Sequence, residues 1–211
     1  MIKKNKKPEK NEVRFIPIES IEMRADADGE SRVVIGMAAP YEVQADLGYF
    51  KETFARGAFK TSIDEKRDVF ALFHHDFKNV LGRTGAGTLT LSDRADGVFY
   101  ELDMPETSIG NDLLVSIRRK DIGGVSVSWP YSTVKDEWNH TVDPPERRII
   151  EAELIEMSIT AIPAYTDTTL AKRSLELSRN ESPAGHSASE ERNQTPTPSL
   201  QVLRLRAARL K

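Results

Sequence analysis

Apolar residues in this 211-residue chain come mostly in short runs bounded by turn residues, and helical spacing is clearest in one segment. That contrast constrains the fold most. Arg32–Ala38, Val69–Phe73, Gly97–Asp103 and Gly124–Val134 are rich in β-branched and aromatic residues, the composition of short strands. Thr88–Leu91 and Gly97–Asp103 flank Ser-Asp-Arg-Ala-Asp-Gly, which is turn chemistry, so they should pair as a hairpin. The helical segment is Ser108–Lys120. It places Ile109, Leu113 and Ile117 on one face, offers Ser108 as N-cap and ends in Arg118, Arg119 and Lys120 before Gly123. Residues 12–24 read as an extended strand broken at Pro17, 40–49 as a loop and 52–63 as a short helical or looped segment. Residues 136–146 read as a polar excursion and 148–160 as one long strand. The expected class is α+β and β-dominated, or a β-barrel with peripheral helices.

The ends differ from the middle. Residues 1–11 are polar and basic, with six Lys/Arg against two Glu over residues 1–14, and should form a disordered arm. Residues 12–173 hold the folded domain. Residues 174–198 should form a disordered linker, since 178–199 contain only Ala184 and Ala188 besides polar residues, Gly and Pro. Residues 199–211 recover a stripe of Leu200, Leu203, Ala207 and Leu210 among arginines, the pattern of a basic amphipathic helix that docks on something. The chain has no cysteine, which excludes disulfides, thiolate catalysis and cysteine-based zinc sites. A net charge of −3 gives no global field toward nucleic acid or membrane. The basic N-terminus lacks the apolar core of a signal peptide and no run reaches membrane-span length, so the chain should reside in a cytoplasm.

Three residue types in strand-like settings point to acyl transfer: a serine nucleophile, an imidazole to take its proton and an acid to hold the imidazole. Ser126 lies in Gly123-Gly124-Val125-Ser126-Val127-Ser128-Trp129. There Ser126 and Ser128 share one face and Val125, Val127 and Trp129 the other. His74, His75 and Asp76 come after a strand, and continuing that strand would send the two rings to opposite faces; periodicity alone does not choose between them. Glu156 interrupts the apolar run Leu154-Ile155-Glu156-Met157-Ser158-Ile159, so a buried partner is required. That partner is either an arginine such as Arg147 or Arg148, or a catalytic imidazole. His74, His75, Asp76 and His140 match no standard metal spacing, and no nucleotide- or cofactor-binding signature is present, so neither cofactor nor metal is expected.

The segment from about 31 to 168 resembles the prohead maturation proteases of tailed bacteriophages, a family similar in fold to the herpesvirus assemblins. Six pieces carry the likeness, in family order: Ile35-Gly36-Met37-Ala38; Glu52-Thr53-Phe54-Ala55-Arg56-Gly57-Ala58-Phe59; Phe70–Asp76 with Leu81-Gly82-Arg83-Thr84; Gly97–Glu101; Ile122–Trp129; and Leu154–Tyr165. The resemblance implies an assemblin-like packed β-barrel core and a serine endopeptidase with His75, Ser126 and Glu156 as its catalytic residues. It selects His75 over His74, because the family histidine directly precedes Asp. Ser128-Trp129 stands where the family has Gly-Phe, so Ser128 is a competing serine. The assemblins use a second histidine where Glu156 stands, and His140, in a polar loop, is a poor substitute for it. The implied substrates are the scaffold or the scaffolding domain of the major capsid protein, and the protease itself. The implied location is the prohead interior in the host cytoplasm, with the protease leaving as fragments. A homodimer is allowed by analogy; nucleic acid and membrane are not implied partners. The resemblance also reads the C-terminal extension as self-removed, with Lys172-Arg173-Ser174 and 178–199 as cut regions. Two alternatives stand beside this reading: a non-enzymatic capsid assembly or scaffold protein on the same fold, and a metal-dependent hydrolase using the histidine cluster.

Overall fold

A computed structural model describes residues 11–17, 21–24, 31–161 and 174–179. The strands are β1 (Asn11–Pro17), β2 (Glu22–Met23), β3 (Val33–Pro40), β4 (Gln44–Asp46), β5 (Lys51–Phe54), β6 (Phe70–Phe73) and β7 (Asp76–Arg83). They continue with β8 (Leu89–Arg94), β9 (Gly97–Asp103), β10 (Gly124–Pro130), β11 (Lys135–Asn139), β12 (Glu146–Glu151) and β13 (Glu156–Thr160). Helices α1 (Lys60–Asp64) and α2 (Ser108–Arg118) lie between them, and a third, α3, spans residues 174–179. The β-dominated α+β class is as expected. The strands form three sheets that do not close: β1-β10-β13-β6-β7, β11-β12-β5-β4 and β2-β3-β9-β8. No helix among the described residues is long and apolar enough to cross a membrane.

One apolar core joins the sheets. Val125, Val127, Met157 and Ile159 of the five-stranded sheet are buried with Val34, Val98 and Leu102 of the third sheet. Phe54, Phe59 and Trp129 interlock with ring centroids 5.1–5.8 Å apart, tying the five-stranded sheet to the second one. Helix α2 buries Leu113 and Ile117 as its spacing predicts, buries Leu114 as well, and leaves Ile109 partly buried against the core. Its cap is Thr107, whose hydroxyl accepts from Gly110 N, one residue earlier than Ser108. Its end is marked by Lys120 at a left-handed φ of 63°, not by Gly123.

Several boundaries differ from the sequence reading. The expected strand over 148–160 is two strands in different sheets, β12 pairing parallel with β5 and β13 pairing with β10 and β6. Ala152 and Leu154, in the connection, are as buried as strand residues, so apolar patterning gives no break. Residues 135–139, within or beside the expected excursion, form edge strand β11. Asp136 and Trp138 there turn inward although the strand composition is polar. The expected loop over 40–49 contains β4. Residues 174–179, expected to begin the linker, form α3. Its Leu175 packs with Leu47 and Phe50. Residues 1–10, 162–173 and 180–211, including most of the linker and the amphipathic segment, lie outside the described residues.

Strand β1 is held by a buried ion cluster between two sheets. Arg147 Nη1 donates to both oxygens of Glu12, at 2.8 and 2.9 Å, and to Glu52 at 3.0 Å; its Nε donates to Asp136 at 2.6 Å. Arg14 pairs with Glu52 and Glu12. Ser174 of α3 donates to Glu12 at 2.8 Å, and the Trp129 indole donates to the same carboxylate. Burial pushes the Glu12 carboxyl up, but Arg147 and Arg14 beside it more than offset this and hold it down at about 2.

Candidate active site

Strands β10, β13 and β6 are neighbours in the five-stranded sheet, and each brings one of the expected residues to the same region. Residues 70–73 build strand β6 from an apolar run of two phenylalanines, an alanine and a leucine. The strand then ends in a tight turn instead of continuing. Phe73 pairs with Asp76, so His74 and His75 form a two-residue hairpin loop. Both take left-handed φ values, 53° and 60°. A two-residue hairpin of this kind requires positive φ at both central positions, where Asn and Gly are the common choices. Histidine there costs about 1–2 kcal/mol per residue, so something must hold it. The expectation that the two rings leave on opposite faces of a continuing strand is therefore replaced by a turn that presents each ring separately.

The hold comes from β13. Glu156, Ser158 and Thr160 alternate along that strand and face the loop. Glu156 Oε1 lies 2.7 Å from His75 Nδ1. Ser158 Oγ donates to Glu156 Oε2 at 2.6 Å and accepts from the His75 main-chain N–H at 3.0 Å. Thr160 Oγ1 is 3.0 Å from His74 Nδ1, and His74 N donates to the Ile159 carbonyl. Glu156 is 2% exposed, while the His75 side chain is 25% exposed, so the acid is enclosed and the imidazole reaches toward solvent. Burial, with His75 beside it, lowers the His74 pKa. Neither arginine considered as a partner for Glu156 takes that role. Arg147 binds Glu12, Glu52 and Asp136, and Arg148 binds Glu42.

Antiparallel register puts Ser126 directly opposite Ser158 and Ser128 opposite Glu156. Directly opposed residues share a sheet face with Cβ atoms about 4.5–5.5 Å apart. Both serines therefore lie on the face that carries the His75–Glu156 pair, and Val125, Val127 and Trp129 occupy the core face as their alternation predicts. Ser126 is not hydrogen-bonded to His75. It is 0% exposed, and its Oγ donates to the Arg14 carbonyl of β1 at 3.0 Å. His75 Nε2 is buried with no hydrogen-bond partner among the described residues. His140 stands apart, its ring stacked on Trp138 of β11 at 5.4 Å.

Ser158 is a residue that the sequence pattern does not single out. Its signal is the same-face position two residues after Glu156, but a serine between Met157 and Ile159 is ordinary strand composition. The arrangement holds an imidazole by a carboxylate on one nitrogen and leaves the other, buried nitrogen without a hydrogen-bond partner among the described residues. An imidazole held in this way can accept a proton from a hydroxyl brought to its other nitrogen.

No curated protein sequence matches the chain. Among solved structures, the capsid assembly protease of bacteriophage T4 superposes with a TM-score of 0.47 at 13% identity, covering 72% of this chain and 99% of that one. Residues 19–181, which are 163 of the 211, match the family described as caudovirus prohead serine protease. The chain belongs to the caudovirus prohead serine protease family.

Proposed function

We propose that the chain is the endopeptidase that matures the prohead, with Ser126 as nucleophile, His75 as general base and acid, and Glu156 as the group that orients the imidazole. The observation that carries the reading is the 2.7 Å contact between His75 Nδ1 and Glu156, which shares a sheet face with Ser126, with Nε2 left unpartnered among the described residues. In the acylation step the Ser126 hydroxyl turns from the Arg14 carbonyl to His75 Nε2. The imidazole takes its proton as Oγ attacks a peptide carbonyl. The buried carboxylate stabilises the imidazolium, which then protonates the leaving amine. Water repeats the sequence to release the acyl group. Main-chain N–H donors to the oxyanion would contribute on the order of 3 kcal/mol each.

The substrates in this reading are the scaffold, or the scaffolding domain of the major capsid protein, and the chain itself. Cleavage takes place within the prohead. Ser174 is docked on Glu12 and Leu175 on Phe50, so self-cleavage falls more readily in the stretch beyond residue 179 than at Lys172-Arg173-Ser174. One observation favours the non-enzymatic alternative: Ser126 is enclosed and bonded to Arg14, as in an inert site. Coexpression with the capsid protein separates the two. The protease reading expects capsid-protein cleavage that disappears in Ser126→Ala and in His75→Ala. Cleavage lost in Ser128→Ala but kept in Ser126→Ala would reassign the nucleophile, and no cleavage by the wild type would favour the assembly role.

A further inference from the structure

Ser158 makes two hydrogen bonds that meet at the base of the candidate site. Its hydroxyl has one proton, and that proton goes to Glu156 Oε2 at 2.6 Å. Its lone pair accepts the His75 main-chain N–H at 3.0 Å. The residue is 0% exposed, so neither bond exchanges readily with water. One small side chain thus fixes the rotation of the carboxylate that holds His75 and the main chain from which His75 projects. The main chain needs fixing, because His75 sits at a φ of 60° without glycine's freedom. Ser158 also lies directly opposite Ser126 across the β10–β13 pair. A shift of the turn would therefore move the imidazole relative to the nucleophile strand.

We infer that Ser158 is a positioning residue. It locks the His75 turn and the Glu156 carboxylate into one unit, so that His75 Nε2 is presented to the serine face. The inference rests on the reading of His75 and Glu156 as base and orienting acid. It adds a fourth member to the three that the family resemblance implies. Glu156, Ser158 and Thr160 then act as successive rungs: the first holds the His75 ring, the second its main chain and the third the His74 ring. The alternation of β13 supplies all three from one face.

The test uses the full chain as wild type, Ser158→Ala and Ser158→Thr. Three readouts are needed: cleavage kinetics on a capsid-derived peptide, hydrogen exchange at the His75 amide, and the His75 Nδ1–H proton resonance. Removing a hydrogen bond to a charged group is expected to lower kcat about 10- to 100-fold. KM should stay within about twofold, because Ser158 touches no substrate. In Ser158→Ala the His75 amide should exchange faster and the Nδ1–H resonance should move. Ser158→Thr, which keeps the hydroxyl, should recover all three. A folded Ser158→Ala with wild-type kcat overturns the inference. So does a kcat loss that tracks the melting temperature while both His75 signals stay in place. If Ser158→Ala does not fold, the wild-type spectrum decides, since a His75 amide exchanging like an exposed loop amide excludes the bond. A wild type that cuts nothing refutes the protease reading, yet the two His75 signals still test Ser158.

Discussion

Replacing Arg147 by methionine should destabilise the domain at neutral pH and reverse part of its acid sensitivity. The Arg147 side chain is 0% exposed and contacts Glu12, Glu52 and Asp136. Methionine is a long, unbranched apolar replacement, but it leaves Arg14 as the one cation of the cluster against those three carboxylates. Breaking one partner out of a buried ion cluster costs about 3–5 kcal/mol. For a domain of this size each kcal/mol moves Tm by about 2–4 °C, so the expected fall at pH 7 is about 6–20 °C. The pH dependence tests the cause. In the wild type, Glu12 is held at about 2, below its ordinary value of 4.5. A depressed carboxyl contributes stability that is present above 4.5 and is lost as pH falls toward 2, here roughly 3 kcal/mol. Without Arg147 the largest opposition to burial is gone, so the carboxyl should rise from its wild-type value. Protonation then relieves the buried charge, so the deficit of the mutant is largest at neutral pH and shrinks toward acid. Thermal melts of both proteins from about pH 4 to about pH 8 measure this. A Tm within about 2 °C of wild type at neutral pH, or a deficit that grows on acidification, would refute the argument.

Other substitutions test other parts of the site and fold. Glu156→Gln should keep the fold and lower kcat by about 10²–10⁴ with little change in KM, because a neutral amide does not stabilise the imidazolium and can hold the ring in the wrong tautomer; steady-state kinetics on a capsid-derived peptide measures this. Gly110→Ala pits propensity against packing. An exposed helix would gain about 1 kcal/mol, but here the new Cβ would lie inside van der Waals contact with the Pro105 carbonyl, so a denaturant melt should show a loss of stability. Thr107→Ala should cost about 1 kcal/mol through the lost cap on α2, read from the same melt, whereas Ser108→Ala should be nearly neutral.

The face alternation of Gly124–Trp129 is legible in the sequence because its serines and large apolar residues strictly alternate, and β10 buries Val125, Val127 and Trp129 as that pattern requires. Helix α2 is legible for the same reason, through Leu113 and Ile117. The split between β12 and β13 is not, since Ala152 and Leu154 stay buried through the crossing between sheets. Edge strand β11 is hidden by its polar composition, and its inward Asp136 makes sense only once Arg147 is placed beside it. At the site, residue types point to a serine, a pair of histidines and Glu156, the family resemblance selects Ser126 and His75 among them, and the structure brings His75 and Glu156 into contact. The His74–His75 turn is not legible, because a pair of histidines carries no turn signal. Its left-handed backbone is imposed by bonds from Ser158 and Ile159, more than eighty residues away along the chain.

The most direct test of the central claim is covalent labelling. A fluorophosphonate reacts with a serine only when a neighbouring base activates it, so intact-mass and peptide mapping of the labelled chain reports the nucleophile and its base together. The predicted result is one adduct, on Ser126, which is abolished in His75→Ala and strongly slowed in Glu156→Gln. An adduct on Ser128, labelling of Ser126 that survives loss of His75, or no adduct on a chain that cleaves capsid protein would contradict the claim.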